Sequence, residues 1–577
     1  MRATLRACLC IAVLLTPASV VVVVPATLTQ PTVPAMVTQP TAAATVAARA
    51  RFEVAFDLLP PAPADPDAVD IDAAFTAPSG AVTHVGGFFD GRRFRVRFAA
   101  PSPGRWTYRV RAAGAEVARG SVEVTPAHDR GYVRRDPRAS HRLAFDDGTP
   151  FYPLGENRFN VYDPRWNYQE QSIEAYLAAM QRGGMNTLRL FVIVDCEDEE
   201  GTADHVQLGC LETSPGRFSP AVAARYDRIV DAAEQSGIYV IFGVWAIGFT
   251  PAPDTWKSWD DNPYSRARGG PLARPTDFFT RVDLRPLEAR KLAYIAHRWG
   301  YSTHLLAVDL LNEPEWDGPI PEPVWIPWAD DMAARWRAVD RYRHLVTAGS
   351  VGLHWNLGGD ERAWYASARN DLVQWHLYGK EYYEVHALAA MMAKKSAETW
   401  RYDKPILCGE FGYGGEDKPL FDHTHVGLWS AAFSGAGVLM HSAPPFNLDS
   451  DEPMTPERAR HPSGLMQFLT RLSPAAHQPA SLPMTPEGSR AFALRARDEL
   501  ALWLLAPERG YGQPLAGARV RLDELAPGDY RVRFVGELDG RVLSERSFTV
   551  AAGATAWLAV PPFTRHAAAL ITGIQRR

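Results

Sequence analysis

Alternation is the first pattern along this chain. Phe94, Val96 and Phe98 are apolar where Arg93, Arg95 and Arg97 are charged, and Trp106, Tyr108 and Val110 repeat the pattern after a Pro-Gly turn. Successive side chains of a strand point to opposite faces, so a period of two predicts half-buried strands. Together with RFEVAFDL, FTAPSGAVTHVGGFFDG and SVEVTP, these runs predict a small β-sandwich over residues 51–130.

The texture then changes. Over residues 131–477 short apolar runs alternate with helical stretches such as QSIEAYLAAMQRGG, which ends in glycines as a helix terminus commonly does. Strand–helix alternation predicts βαβ units and a parallel sheet. Candidate strands are FYPLGEN (151–157), NTLRLFVIV (186–194), IYVIFGVWA (238–246), LLAVDLLNEP (305–314), HLVTAGS (344–350), DLVQWHLY (371–378), KPILCGEFG (404–412) and GVLMHSAP (437–444). Eight over this span predict an α/β fold, a (β/α)₈ TIM barrel. A doubly wound sheet would want a Gly-rich phosphate turn after an early strand, and no GxGxxG follows one. Residues 478–577 return to short strands (SRAFALRA, LALWLLAP, YRVRFVGEL, SERSFTVA), a second β-sandwich. No internal repeat crosses the chain.

The first fifty residues stand outside this pattern. Arg2 and Arg6 precede an apolar stretch from Ala7 to Val24, the layout of a secretory signal, so residues 1–25 are expected to be removed on export. Pro17 and Pro25 interrupt the stretch and favour a cleaved peptide over an uncleaved anchor. Residues 26–50 are rich in Thr, Pro, Ala and Val without periodicity and are expected to be a disordered linker. The protein is therefore expected to be secreted, periplasmic or at the cell surface, with no membrane contact after cleavage.

A net charge of −5 with no basic stripe argues against a nucleic-acid partner. No CxxC or His-rich pair suggests a metal, and no cofactor is expected. The acidic loop CEDEEGTADHVQLGC supplies several carboxylates without EF-hand spacing, and reads as a solvated loop closed by a Cys196–Cys210 disulfide, which export permits. Cys408 lies in a buried strand and is expected to stay a free thiol.

A barrel builds its active site at the C-terminal ends of its strands. The apolar run LLAVDLL ends in Asn312-Glu313-Pro314, and PILCG ends in Glu410. A glutamate closing a buried strand is costly unless it has partners or a task. Two such glutamates at one mouth fit glycoside hydrolysis, where one carboxyl donates a proton to the leaving oxygen and the other, ionised, attacks the anomeric carbon. The alternative is two independent solvated loop acids.

LLNEPEW and ILCGEFG resemble the strand-4 Asn-Glu-Pro and strand-7 Glu of the clan A glycosidases, glycoside hydrolase family 5 (cellulase-like) in particular. The resemblance implies a retaining enzyme with Glu313 as acid/base, Glu410 as nucleophile and Asn312 on the sugar 2-hydroxyl. It also implies Arg189 of NTLRLFV beside the nucleophile, and His376 and Tyr378 of VQWHLY as the strand-6 His-x-Tyr, with Tyr378 bonded to Glu410. Two positions depart from the family pattern. Strand 3 offers Trp245 where a His is common, and strand 8 offers Met440 and His441 where a Trp is usual. GGFFDGRRFRVRFAAPSPGRWTYRVR resembles domain of unknown function 5060, a β-sandwich module that precedes bacterial glycosidase barrels.

Sugar rings stack on aromatic planes, so Trp245, Trp259 and Trp316, with Asn157 and His441, are candidate substrate contacts. Trp256 and Tyr264 share the loop after strand 3. Trp325 and Trp328 fit either the mouth or interhelical packing, while Trp336 and Trp364 fall in helical patterns and are expected in the core. The expected function is retaining hydrolysis of a β-linked polysaccharide or oligosaccharide. A non-catalytic glycan-binding barrel and a transglycosylase using the same carboxylates remain the alternatives.

Overall fold

A computed structural model describes residues 41–58, 63–158, 172–191, 210–245, 248–249, 259–317, 320–349, 362–378, 384–412, 420–441, 456–522, 525–553 and 555–574. The expected signal segment and most of the expected linker lie outside the described residues, and no described helix is long and apolar enough to cross a membrane.

The centre is a barrel of parallel strands: β1 (Leu154–Arg158), β2 (Thr187–Phe191), β3 (Tyr239–Trp245), β4 (Leu305–Asn312), β5 (Leu345–Gly349), β6 (Val373–Leu377), β7 (Ile406–Phe411) and β8 (Ala436–His441). Hydrogen-bonded ladders run from β5 through β4, β3, β2 and β1 to β8, β7 and β6. The β5–β6 seam is joined by single bonds, Asp371 N to Val346 O at 2.8 Å and Thr347 Oγ1 to Leu372 O at 3.0 Å. Every residue of β4 is buried, which is why these strands read as unbroken apolar runs rather than alternating ones.

The intervening helices start and stop where their caps dictate. Ser172 Oγ accepts from Ala175 N to open the helix Ile173–Arg182, and Ser219 accepts from Val222 N to open Pro220–Ser236. Gly237 closes the second with φ +66°, a conformation that suits glycine. Trp325, Trp328 and Trp336 line the buried face of Glu322–Val339, so both members of the ambiguous pair are packing residues, and Trp364 is fully buried too.

The run 151–157 is two elements, not one strand. Pro150–Phe151 belongs to a separate antiparallel sheet with Val133–Arg135 and Leu143–Phe145, and β1 begins only at Leu154. This small sheet plugs the N-terminal end of the barrel. Val133, Leu143, Phe145 and Phe151 pack on Ile241, Leu306, Leu345, Leu372, Leu407 and Leu439.

The N-terminal sandwich has a four-stranded and a five-stranded sheet closed over Phe52, Val54, Phe75, Phe98 and Trp106. The end of the expected linker is ordered, contrary to the sequence reading. Thr41–Ala42 pairs with Val54 and Ala55, and Thr45–Ala47 pairs with Glu123–Thr125. These edge strands are too short to show a period. Arg97, a charged member of the alternating run, is buried against the barrel and pairs with Asp227 at 2.7 Å. The C-terminal domain is a six-stranded sheet facing a three-stranded one. Its strand His566–Gly573, too small-residue-rich to stand out, pairs with both Glu499–Leu505 and Gly528–Val535. Trp503, Phe492 and Leu570 join the barrel's own core.

Candidate active site

Strand alternation decides which polar side chains meet inside the barrel. On β1, Glu156 and Asn157 point opposite ways. Glu156 turns outward, accepting from Tyr176 Oη at 2.6 Å and Arg158 Nη2 at 3.1 Å, so it is a structural ion pair. Asn157 turns inward and accepts from Arg189 Nη1 at 2.7 Å. The sequence proposed Asn157 as a substrate contact; its oxygen is engaged by Arg189.

Arg189 on β2 is completely buried and organises the interior. Nε donates to Asp309 Oδ2 and Nη2 to Asn312 Oδ1, each at 2.7 Å, while Nη1 also donates to Glu410 Oε1. Burial opposes its charge, but the carboxylates of Asp309, Glu410 and Glu313 outweigh that and raise its pKa further. Glu410 receives a second donor on its other oxygen, Tyr378 Oη at 2.8 Å. Burial, followed by the Glu410 and Glu313 charges, pushes the Tyr378 hydroxyl well above its ordinary range, so it stays a donor.

Glu313 follows the last residue of β4 with φ +41°, a left-handed conformation costing a non-glycine residue about 1–3 kcal/mol. Its amide donates to Gly349 O at 3.0 Å, which anchors the turn. His376 Nδ1 sits between the two glutamates, 2.5 Å from Glu313 Oε1 and 3.7 Å from Glu410 Oε1. Burial works to lower the His376 pKa, but both carboxylates and the Glu313 hydrogen bond overcome it and raise it. A carboxylate oxygen of Glu313 lies within 4.8 Å of one of Glu410. The arrangement holds two carboxyls close together, one fixed by two donors and the other at the rim of the mouth with a histidine beside it.

Glu313, Glu410, Asn312, Arg189, His376 and Tyr378 thus form one connected group. Asp309, Gln374 and Gly349 belong to it as well and were missed. Gln374 Nε2 donates to Asp309 Oδ2 at 2.8 Å, and Gly349 N donates to Asp309 Oδ1 at 3.0 Å. A side chain at Gly349 would put its Cβ 2.4 Å from Gln374 Nε2, so only glycine leaves room for this floor. Signals existed: Gln374 sits two residues before His376 and so on its face, and Asp309 is a charge inside an apolar run. A register shift on β4 between Asp309 and Asn312 hides the rest, because it breaks the alternation that would have aligned them.

The aromatic contacts need correction. Trp245 is 1% exposed, edge-on to Trp328 at 5.0 Å and with Lys291 Nζ 5.4 Å from its ring. Trp259 is buried against Phe249, and Tyr264 Oη donates to Glu212 Oε1 at 3.0 Å inside the fold. Neither tryptophan offers an open ring face to a sugar, because the β3–β4 connection folds back and packs them under Phe278 and its neighbours. Trp256, and the side chains of Trp316 and His441, lie outside the described residues, as do Cys196 and the acidic loop. Cys210 is disulfide-bonded, and Cys408 is a free buried thiol whose pKa burial pushes well up.

Among the described residues, a second cluster also brings three potential ligand atoms within 4.8 Å: His425, Glu537 and His566, at the contact of barrel and C-terminal domain. The His425 and His566 rings stack at 4.0 Å and 13°, so their in-plane lone pairs run side by side rather than converging on an ion.

Comparison with known proteins agrees with this architecture. The family model described as Cellulase (glycosyl hydrolase family 5) matches residues 146–438, more than half of the 577, and the model for Domain of unknown function (DUF5060) matches residues 45–113. Among curated relatives, mannan endo-1,4-beta-mannosidase 2 of Oryza sativa subsp. japonica is 26% identical over 234 residues, covering 39% of this chain and 49% of that protein. Probable mannan endo-1,4-beta-mannosidase A-1 of Aspergillus terreus is 28% identical over 220 residues, covering 37% and 52%. The chain spans about half the length of these relatives. A solved putative glycoside hydrolase from Bacteroides vulgatus shares the fold with a TM-score of 0.65 at 16% identity, over 92% of this chain and 100% of that one. A glycoside hydrolase family 5 structure from the same species gives 0.53 at 13%, over 77% and 94%. With the barrel, the strand-end glutamates and the matched family model together, the chain belongs to glycosyl hydrolase family 5.

Proposed function

We propose that this protein is a retaining glycoside hydrolase that cleaves a β-linked polysaccharide or oligosaccharide by double displacement. Glu313 donates its proton to the glycosidic oxygen as the Glu410 carboxylate attacks the anomeric carbon, so the C–O bond to the leaving group breaks while one to Glu410 forms. Glu313, now ionised, takes a proton from water, which attacks the anomeric carbon and releases Glu410. Arg189 and Tyr378 aim the Glu410 oxygens, and Asn312 meets the sugar 2-hydroxyl. Two curated relatives carry names that specify mannan, so β-mannan is the first polymer to assay.

The observation that carries this reading is the proximity of the two carboxylates. A retaining pair stands about 5–5.5 Å apart, whereas an inverting pair needs about 6.5–9.5 Å to admit a water, and oxygens within 4.8 Å favour the former. Glu313→Gln and Glu410→Gln are each expected to lower turnover by about 10³-fold or more, and azide should rescue Glu410→Ala to an α-glycosyl azide. Near-wild-type turnover in either glutamine variant would remove that residue from the mechanism. The Cys210 bridge is proposed to run to Cys196 and close a loop beside the mouth. A peptide carrying free Cys196 thiol in unreduced mass spectra would contradict it.

A further inference from the structure

Arg189 is a shared cation. One edge of its guanidinium faces Glu410, while Nε and Nη2 lie 2.7 and 2.5 Å from Asp309 Oδ2. Asp309 is fully buried and lies within β4, four residues before Glu313. Its carboxylate also accepts from Gln374 Nε2 and Gly349 N, so both oxygens are held in place. Among the described residues Gln374 Oε1 is buried without a hydrogen-bond partner, and turning the amide over would set two oxygens against each other. The donation to Asp309 therefore fixes the orientation of Gln374.

We propose that Asp309 is a positioning residue that sets how much of the Arg189 charge reaches Glu410, with Gln374 tuning its strength. The inference rests on the reading of Glu410 as nucleophile. Facing Glu410 alone, a buried guanidinium would stabilise its carboxylate strongly and blunt its attack. Held by Asp309, it aims the Glu410 oxygen through a hydrogen bond while most of its charge is already matched. The arrangement matters again once Glu410 is esterified. That carboxylate then carries no charge, and without Asp309 a completely buried guanidinium would lose its nearest counter-ion.

The test compares Asp309→Asn, Gln374→Met and Glu410→Gln with the wild type on one aryl β-glycoside, recording kcat/KM against pH. The acid limb reports ionisation of the nucleophile in the free enzyme. Asp309→Asn frees Arg189 toward Glu410, so the limb should move to lower pH by about one unit, with kcat/KM at the optimum down about tenfold or more. Gln374→Met takes a donor from Asp309, which then holds Arg189 harder, so its limb should move the opposite way. A role in packing alone would lower thermal stability and leave both limbs in place. Unshifted limbs, or limbs that move in the same direction, overturn the proposal while an inactive Glu410→Gln keeps the nucleophile reading intact. An active Glu410→Gln overturns both. If Asp309→Asn does not fold, Gln374→Met decides alone, and an unshifted limb overturns the proposal.

Discussion

The two ends of the barrel are made from the same strands and built on opposite principles. At the N-terminal end, Ile241, Leu306, Leu345, Leu372, Leu407 and Leu439 meet an apolar plug from the small sheet of residues 133–151. At the C-terminal end the same strands present Arg189, Asp309, Asn312, Glu313, His376 and Glu410, all of them buried and bonded to one another. Burying apolar surface is favourable in itself, whereas buried charges must be paired to be tolerated at all. One end therefore holds the barrel together, and the other spends stability on a fixed array of charges. The proposed site lies at the C-terminal ends of the strands, where buried, paired charge takes the place of apolar packing.

The contrast is broken most severely by exchanging the effects of the two ends. Glu313→Gln and Glu410→Gln should abolish nearly all turnover with little change in melting temperature. Phe151→Ala should do the reverse. Phe151 is 3% exposed, edge-on to Tyr239 at 4.9 Å and to Phe145 at 5.4 Å. Its removal should cost about 3–5 kcal/mol by chemical denaturation, with kcat/KM within about twofold of wild type at a temperature where the variant is folded. A large loss of kcat/KM in folded Phe151→Ala would show that the ends are not separable.

A smaller effect is expected where charge is buried away from the mouth. His425 and His461, on the helices Leu420–Phe433 and Pro456–Leu469, meet Glu537 and His566 of the C-terminal domain, and Trp503 Nε1 donates to Glu537. Burial first, then neighbouring histidines, lowers His425 to about 4 and His461 to about 3 from an ordinary 6.5. Burial works against the Glu537 charge, but His566 and His425 hold it down at about 2. The folded state thus refuses protons that the unfolded chain accepts. The histidine contribution is complete above pH 6.5 and is lost as pH falls toward 4 and 3, by about 1.4 kcal/mol per pH unit for each histidine. Glu537 contributes fully above 4.5 and loses its share only as pH falls through about 2, so it does not offset the loss. Stability measured between pH 7 and 5 should fall less steeply in His461→Gln than in wild type. Equal slopes would show that His461 does not contribute.

The two ends were not equally legible in the sequence. Barrel strands such as β4 and β7 could be read, because a strand buried on both faces is a run of apolar residues that a turn or a charge interrupts visibly. By contrast β1, with the sequence LGENR, was found only as the tail of a run that also held the plug strand. Glu313 and Glu410 stood out because each interrupts such a run. Asp309 did not, since the irregularity of β4 carries it and Asn312 to the same guanidinium against the strand's period. Trp245 and Trp259 were read as sugar platforms from their place near a strand end. Which way a ring faces there depends on how the following connection folds, and that leaves no periodic trace. Thr41–Ala42 and Thr45–Ala47 escaped notice because pairing with a partner strand, not their own pattern, makes them strands.

The most direct test of the central claim, double displacement by two adjacent carboxylates, is the anomeric configuration of the first-formed product. It is read from the anomeric proton by NMR during hydrolysis of a β-linked substrate, before mutarotation mixes the anomers. The β-anomer should appear first, with the α-anomer growing in only at the rate of mutarotation. An α-anomer as the initial product would contradict the covalent intermediate on Glu410 and the roles assigned to both glutamates.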